Sequence, residues 1–374
     1  MKRVNKAVRG LGLAFLTLFF LNAPLAAAVP YLSSAYYCLV DGDSGQIILS
    51  RQADVMRPVA STTKMMTAIL TTEYAGLEEI AVVSSHAQKT PQYSIGLRAG
   101  QEVEIAELLK AALVRSANDA AVVLAEHVAG EERLFAHLMS KKAFAIGAVN
   151  THFVNASGLP SADHYSTAYD LTRIGSYLLE DGDLKGLVAS RQVQFKHPGY
   201  HQPMLIDNTN ALLDNYPGAD GIKTGTTDAA GKCLVASATR NGRRLIAVAL
   251  KSGNRSSDCA ALLDYGFQSS QLVKIADQNI PFKQIKVLNG RYSYIELYPA
   301  EDINVWVAGL NPDIQKRVKV NYVVQPPLSA GQKLGRLSVY ADDRLVQSTD
   351  LICRQDMGQE LNPVRKLLQN LKLW

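Results

Sequence analysis

Three short strings carry residue types able to do covalent chemistry together: Ser61-Thr62-Thr63-Lys64, Ser116-Ala117-Asn118 and Lys223-Thr224-Gly225. A serine hydroxyl is a weak nucleophile near neutral pH and needs a base within hydrogen-bond reach. Lys64 is spaced to be that base, because residues three apart share a helix face and residues 65–70 continue as a helix that stops near Gly76. An Ser-x-x-Lys string alone usually means a helix-capping serine and a solvated lysine. Lys-Thr-Gly is far rarer by chance, so specificity lies in the ordered set of three.

These strings must be held by elements that bring them together. Residues 36–40, a turn at 41–45 and residues 46–50 read as strand, turn and strand, with the serine eleven residues further on. A helix over 104–114, with Ile105, Leu108, Leu109, Ala112 and Leu113 on one face, leads into Ser116. Asn118 and Asp119 are good caps for a helix over 120–129 that ends at Gly130, which puts Ser116 and Asn118 in a break between two helices. Further helices are expected over 134–146 and 167–179. Lys223 then falls in a strand just before two β-rich runs, 232–240 and 243–251, joined by the hairpin dipeptide Asn241-Gly242, and 256–267 closes the domain as a helix. Strands at both ends and helices between imply an α+β domain, an antiparallel sheet with a helical cluster against it.

Composition bounds the reading. The 374 residues are 47% apolar and 20% charged, with a formal net charge of +5. That balance is mildly basic and not gathered into runs, and no nucleic-acid motif is present. Lys2, Arg3, Lys6 and Arg9 precede an apolar run over 11–21 and a small-residue site at 26–28, the pattern of an export signal cleaved after Ala28. The remainder is long for one core, so a catalytic domain over 29–275 and a second domain over 276–356 are expected. The second reads as short strands separated by turns, a small sandwich or barrel without a catalytic cluster. Residues 357–374 form a basic amphipathic pattern: Leu361, Val364, Leu367, Leu368, Leu371 and Trp374 fall on one side, which suits the surface plane of a bilayer. Cys38, Cys233, Cys259 and Cys353 lack metal or redox spacing and are expected as buried free thiols. No metal or other cofactor is implied.

On these motifs the chain resembles the exported D-alanyl-D-alanine carboxypeptidases, the low-molecular-mass penicillin-binding proteins. The resemblance extends to Asn118-Asp119-Ala120, Asn155-Ala156-Ser157-Gly158-Leu159, residues 165–170, Gly221-Ile222 and Ala230-Gly231. It implies a β-lactamase/transpeptidase-like domain, followed by the β domain and an amphipathic helix on the outer face of the cytoplasmic membrane. It also implies a peptidoglycan stem peptide as substrate and β-lactams as inhibitors. Ser61 would be the nucleophile, Lys64 its base, and Ser116 the relay to the leaving amine. Asn118 would hold the substrate amide, Lys223 and Thr224 its terminal carboxylate, with Arg255 a further candidate. Thr226 would give an oxyanion donor, and Gly225 close approach of the substrate backbone. A class A β-lactamase shares the motifs but uses a glutamate after the second one, and none occurs between Glu132 and Glu180. A catalytically weak envelope-binding protein is the remaining rival.

Overall fold

A computed structural model describes residues 28–308, 314–341 and 344–359. The expected export signal up to residue 27 and the amphipathic segment from residue 360 onward lie outside the described residues. The first domain is built on a five-stranded antiparallel sheet, ordered β2-β1-β5-β4-β3. Its strands are β1 (Tyr36–Asp41), β2 (Ile47–Arg51), β3 (Ala219–Thr227), β4 (Gly231–Arg240) and β5 (Arg243–Ser252). The two ends of the domain meet where β1 pairs β5, with Tyr36 opposite Leu250 and Asp41 opposite Leu245.

The run Leu245-Ile246-Ala247-Val248-Ala249-Leu250 is apolar at every position because both faces of the sheet are covered. Ile246, Val248 and Leu250 join the core formed with the central helices. Leu245, Ala247 and Ala249 pack instead with Leu262 and Leu263 of the closing helix, which runs from Arg255 to Gln268. The sheet is therefore a middle layer, with the helical cluster on one side and the closing helix, joined by Leu212 and Tyr216, on the other. The hairpin turn uses Asn241 and Gly242 at φ 52° and 76°, the left-handed geometry that residue pair favours.

The second domain holds β6 (Ser270–Ala276), β7 (Lys283–Val287), β8 (Tyr294–Pro299), β9 (Ile303–Ala308), β10 (Ile314–Val320), β11 (Val323–Val324), β12 (Lys333–Ala341) and β13 (Arg344–Cys353). Six form one sheet, ordered β10-β12-β13-β8-β7-β11, and β6 pairs β9. Because β6 pairs within this domain, its first strand begins ahead of the expected boundary at 275/276. Inward-pointing Ile285, Ile295, Leu297, Val305, Leu337, Val339 and Leu351 make its core. Arg243 ties the domains together: it is bonded to buried Asp41 at 3.0 Å and to the Gly266 carbonyl at 3.3 Å, and lies 4.3 Å above the Trp306 ring. All four cysteines are buried and none forms a disulfide among the described residues.

Candidate active site

Ser61 sits in a 3-10 turn, Ala60–Thr63, that runs directly into α1 (Lys64–Tyr74). The turn is tight because each threonine hydroxyl bonds back three residues, Thr62 Oγ1 to the Val59 carbonyl and Thr63 Oγ1 to the Ala60 carbonyl, both at 2.8 Å. Ala60 is held at φ 50°, a conformation a non-glycine residue adopts only under constraint. Residues 64–71 are all buried, so α1 is a core helix and its first side chain, Lys64, has no route to solvent.

The Lys64 amine instead meets three acceptors: Ser61 Oγ at 2.9 Å, Asn118 Oδ1 at 2.6 Å and the Ser157 carbonyl at 2.6 Å. The Asn118 amide nitrogen faces the carbonyls of Gln92 at 3.0 Å and Pro91 at 3.3 Å, which fixes its oxygen toward Lys64. This arrangement decides what a neutral Lys64 does. Its two remaining N–H groups go to Asn118 Oδ1 and the Ser157 carbonyl, neither of which can donate, so its lone pair faces the Ser61 hydroxyl. Burial holds the Lys64 amine well below the ordinary lysine range, and the charge of Lys223 pushes the same way against a smaller opposing pull from Asp119.

Ser116 is placed by a change of helix type. The helix α2 (Ile105–Lys110) widens to a π turn over Ala111–Arg115, and Ser116 follows in the left-handed conformation at φ 70°, ψ 31°. Its hydroxyl makes no hydrogen bond among the described residues. The next helix, α3, begins at Asn118 and runs to Ala129, with Ala117 at its cap. Asn118 does not cap this helix with its side chain, and Asp119 meets the expectation only in that its Oδ1 accepts the first-turn Ala120 N–H at 3.0 Å. Asn118 serves Lys64, and the buried Asp119 carboxylate accepts the backbone N–H groups of Ile95, Gly96 and Leu97 at 3.0–3.1 Å, tying down the loop whose carbonyls orient Asn118.

Lys223, Thr224, Gly225 and Thr226 lie on β3, the sheet's edge strand. The Lys223 amine is buried with no hydrogen-bond partner among the described residues. Burial, aided by the charge of Arg255, lowers it to about 7. The Thr224 hydroxyl is bonded to Thr209 at 2.6 Å. Arg255, the first residue of the closing helix, lays its guanidinium on the strand, 2.9 Å from the Gly225 carbonyl and 2.8 Å from Thr226 Oγ1. At Gly225 a Cβ would stand 2.9 Å from the Ser61 nitrogen and from the Val59 carbonyl oxygen. The missing side chain is thus required for β3 to pack on the turn that carries Ser61.

Two further supports are not evident from motif spacing. Asn155 Oδ1 accepts the Ser157 and Gly158 N–H groups at 3.2 and 2.7 Å, an Asx-type turn that aims the Ser157 carbonyl at Lys64. Buried His164 reaches Thr63 Oγ1 with Nε2 at 2.8 Å, while its Nδ1 accepts the Val154 N–H at 3.3 Å. Since Thr63 donates to the Ala60 carbonyl, the chain of bonds requires the neutral tautomer with the proton on Nε2. The two residues are 101 positions apart, and nothing in the local pattern around His164 announces the contact. The Asn-x-Ser-Gly turn carried a readable signal in its residue types.

Comparison with known proteins agrees with this geometry. The family model described as D-alanyl-D-alanine carboxypeptidase matches residues 23–254, and that of the penicillin-binding protein 5 C-terminal domain matches residues 271–359. The chain is 30% identical over 330 residues to D-alanyl-D-alanine carboxypeptidase DacF of Bacillus subtilis strain 168, covering 85% of this chain and 84% of that one. It is 29% identical over 364 residues to DacA of Escherichia coli K12, covering 92% and 88%. Penicillin-binding protein 5 of Haemophilus influenzae superposes with a TM-score of 0.70 at 27% identity, covering 88% of this chain and 99% of that one. The chain therefore belongs to the serine D-alanyl-D-alanine carboxypeptidase family, which acts on peptidoglycan stem peptides and binds β-lactams.

Proposed function

We propose that Ser61 attacks the carbonyl between the two terminal D-alanines of a stem pentapeptide, with Lys64 taking its proton. The observation that carries this is the three-way coordination of Lys64, which leaves the lone pair of its neutral form only one partner, the Ser61 hydroxyl. As the new C–O bond forms, the carbonyl oxygen takes the charge, and the backbone N–H groups of Ser61 and Thr226 are the donors assigned to it. Such donors are each worth about 3 kcal/mol. The C–N bond then breaks, and the Ser116 hydroxyl relays the proton from Lys64 to the departing amine, releasing D-alanine. A water then attacks the acyl-enzyme with Lys64 again as base, and the serine is restored with one shortened peptide.

The terminal carboxylate is assigned to Lys223 and Thr224, with Arg255 behind them. The unpartnered Lys223 amine supports this, since a bound carboxylate would supply the counter-charge it lacks and return it to the protonated form. Asn118 can hold the substrate amide only by exchanging the Pro91 and Gln92 carbonyls for a substrate oxygen, because both ends of its side chain are already engaged. In this reading the mature protein is exported and residues 357–374 lay it on the outer face of the cytoplasmic membrane, supported by the apolar stripe and basic opposite side of that sequence.

The test is a pair of variants. Ser61→Ala should lose both the covalent penicillin adduct and D-alanine release, and survival of either overturns the assignment. Lys223→Ala should raise KM for the pentapeptide by roughly tenfold or more, the worth of a charged hydrogen bond, and an unchanged KM removes its carboxylate role. Chains ending at residue 356 should fail to sediment with anionic vesicles, and equal binding would refute the membrane role of the tail.

A further inference from the structure

The second domain has no part in the chemistry above, yet one of its faces is built as a ligand site. A groove of about 430 Å³ is lined by Gln284, Tyr292, Tyr294, Glu296, Tyr298 and Arg354, among others, within the roughly 300–1,000 Å³ that small-molecule sites occupy. Along β8 the side chains alternate, so Ile295 and Leu297 enter the core while Tyr294, Glu296 and Tyr298 stand outward in a row. Tyr292 and Tyr294 are 57% and 54% exposed. Neighbouring aromatic rings left in water contribute little to folding and mark a surface that something covers.

The polar groups narrow the ligand. Tyr298 donates its hydroxyl to Glu296 Oε2 at 2.8 Å, and Arg354 is stacked 4.6 Å above the Tyr298 ring. Gln284 makes no side-chain hydrogen bond among the described residues, so its amide offers both a donor and an acceptor to the groove. Flat rings beside a carboxylate, a guanidinium and a free amide suit a molecule with an apolar face and an edge of mixed donors and acceptors, which is the chemistry of a pyranose ring. A peptide adding to the sheet as a further strand is excluded here, because β8 is already paired on both sides, to β7 and to β13.

We propose that this groove binds the glycan strand of peptidoglycan, two or so sugar residues at a time, with Tyr292 and Tyr294 stacking on sugar faces and Gln284, Glu296 and Arg354 bonding their hydroxyl and acetamido groups. The inference rests on the carboxypeptidase reading: the stem peptides are attached to that glycan, so a weak second site raises the effective concentration of peptide at Ser61 without touching the chemistry.

The experiment uses the mature chain and peptide-free glycan strands of alternating N-acetylglucosamine and N-acetylmuramic acid, with binding measured by calorimetry. Tyr294→Ala should weaken binding about fivefold or more, the worth of one stacked ring, and Tyr294→Phe should keep most of it. Tyr294→Ala should also slow D-alanine release from intact peptidoglycan while leaving the rate on a soluble pentapeptide unchanged. No glycan binding by the parent chain, equal binding by Tyr294→Ala, or occupation of the groove by a proline-rich peptide that glycan does not displace would each overturn the proposal. Loss of the pentapeptide rate in the parent chain would instead overturn the carboxypeptidase reading.

Discussion

Substituting His164 by glutamine tests whether the Ser61 turn is held by a neutral imidazole. Burial, with the nearby charges of His152 and Lys64 acting the same way, lowers His164 from 6.5 to about 4. Above pH 6.5 the ring is neutral in both the folded and unfolded chain, and it affects stability equally at every pH. As pH falls from 6.5 toward 4 the unfolded chain takes up a proton that the folded one refuses, so stability falls across that window and levels off below it. At about 1.4 kcal/mol per pH unit the whole loss is about 3 kcal/mol. The bonds act in the same direction as burial: a proton on Nδ1 would point at the Val154 N–H, setting donor against donor. Glutamine can still donate to Thr63 but does not titrate. Urea unfolding at pH 7.5 and at pH 4 should therefore show the wild type losing about 3 kcal/mol more than His164→Gln. Because other carboxylates titrate in both proteins, only the difference between them is read. Parallel loss in the two proteins would refute the reasoning.

Gly158 holds φ 85°, and a Cβ there would stand 2.0 Å from the Ala60 carbonyl oxygen, so Gly158→Ala should displace the Ser61 turn and slow penicillin acylation at temperatures where the variant is still folded; unchanged acylation would show that the turn does not depend on this contact. Asp41→Ala leaves the Arg243 guanidinium buried without its carboxylate, and should cost about 3–5 kcal/mol in chemical denaturation. A cost below about 1 kcal/mol would mean that solvent or Trp306 compensates the charge.

How far the residue order alone went is clearest at the site. Ser61, Lys64, Ser116 and Lys223 stand out in the sequence as candidates because the proposed chemistry demands particular functional groups, and helix periodicity puts Lys64 within reach of Ser61, 2.9 Å away in the fold. The hairpin was legible from two β-rich runs joined by Asn241-Gly242, and the second domain from short β-rich runs separated by turns. Strand pairing between β1 and β5 is different in kind: Tyr36 and Leu250 meet only because two distant apolar runs both need a neighbour. The same holds for what surrounds the amines. The lowered pKa of the Lys64 amine depends on burial and on the charge of Lys223, and its orientation on three acceptors drawn from separate segments. Asp119 reads locally as a helix cap and Gly225, by the resemblance, as room for a substrate backbone, while His164 carries no local signal; each makes its contact with a partner far along the chain. Sequence determines which groups are available and how neighbours along a helix or strand align. Only the folded chain fixes burial and long-range contact, and these set the pKa values and hold the serine in place.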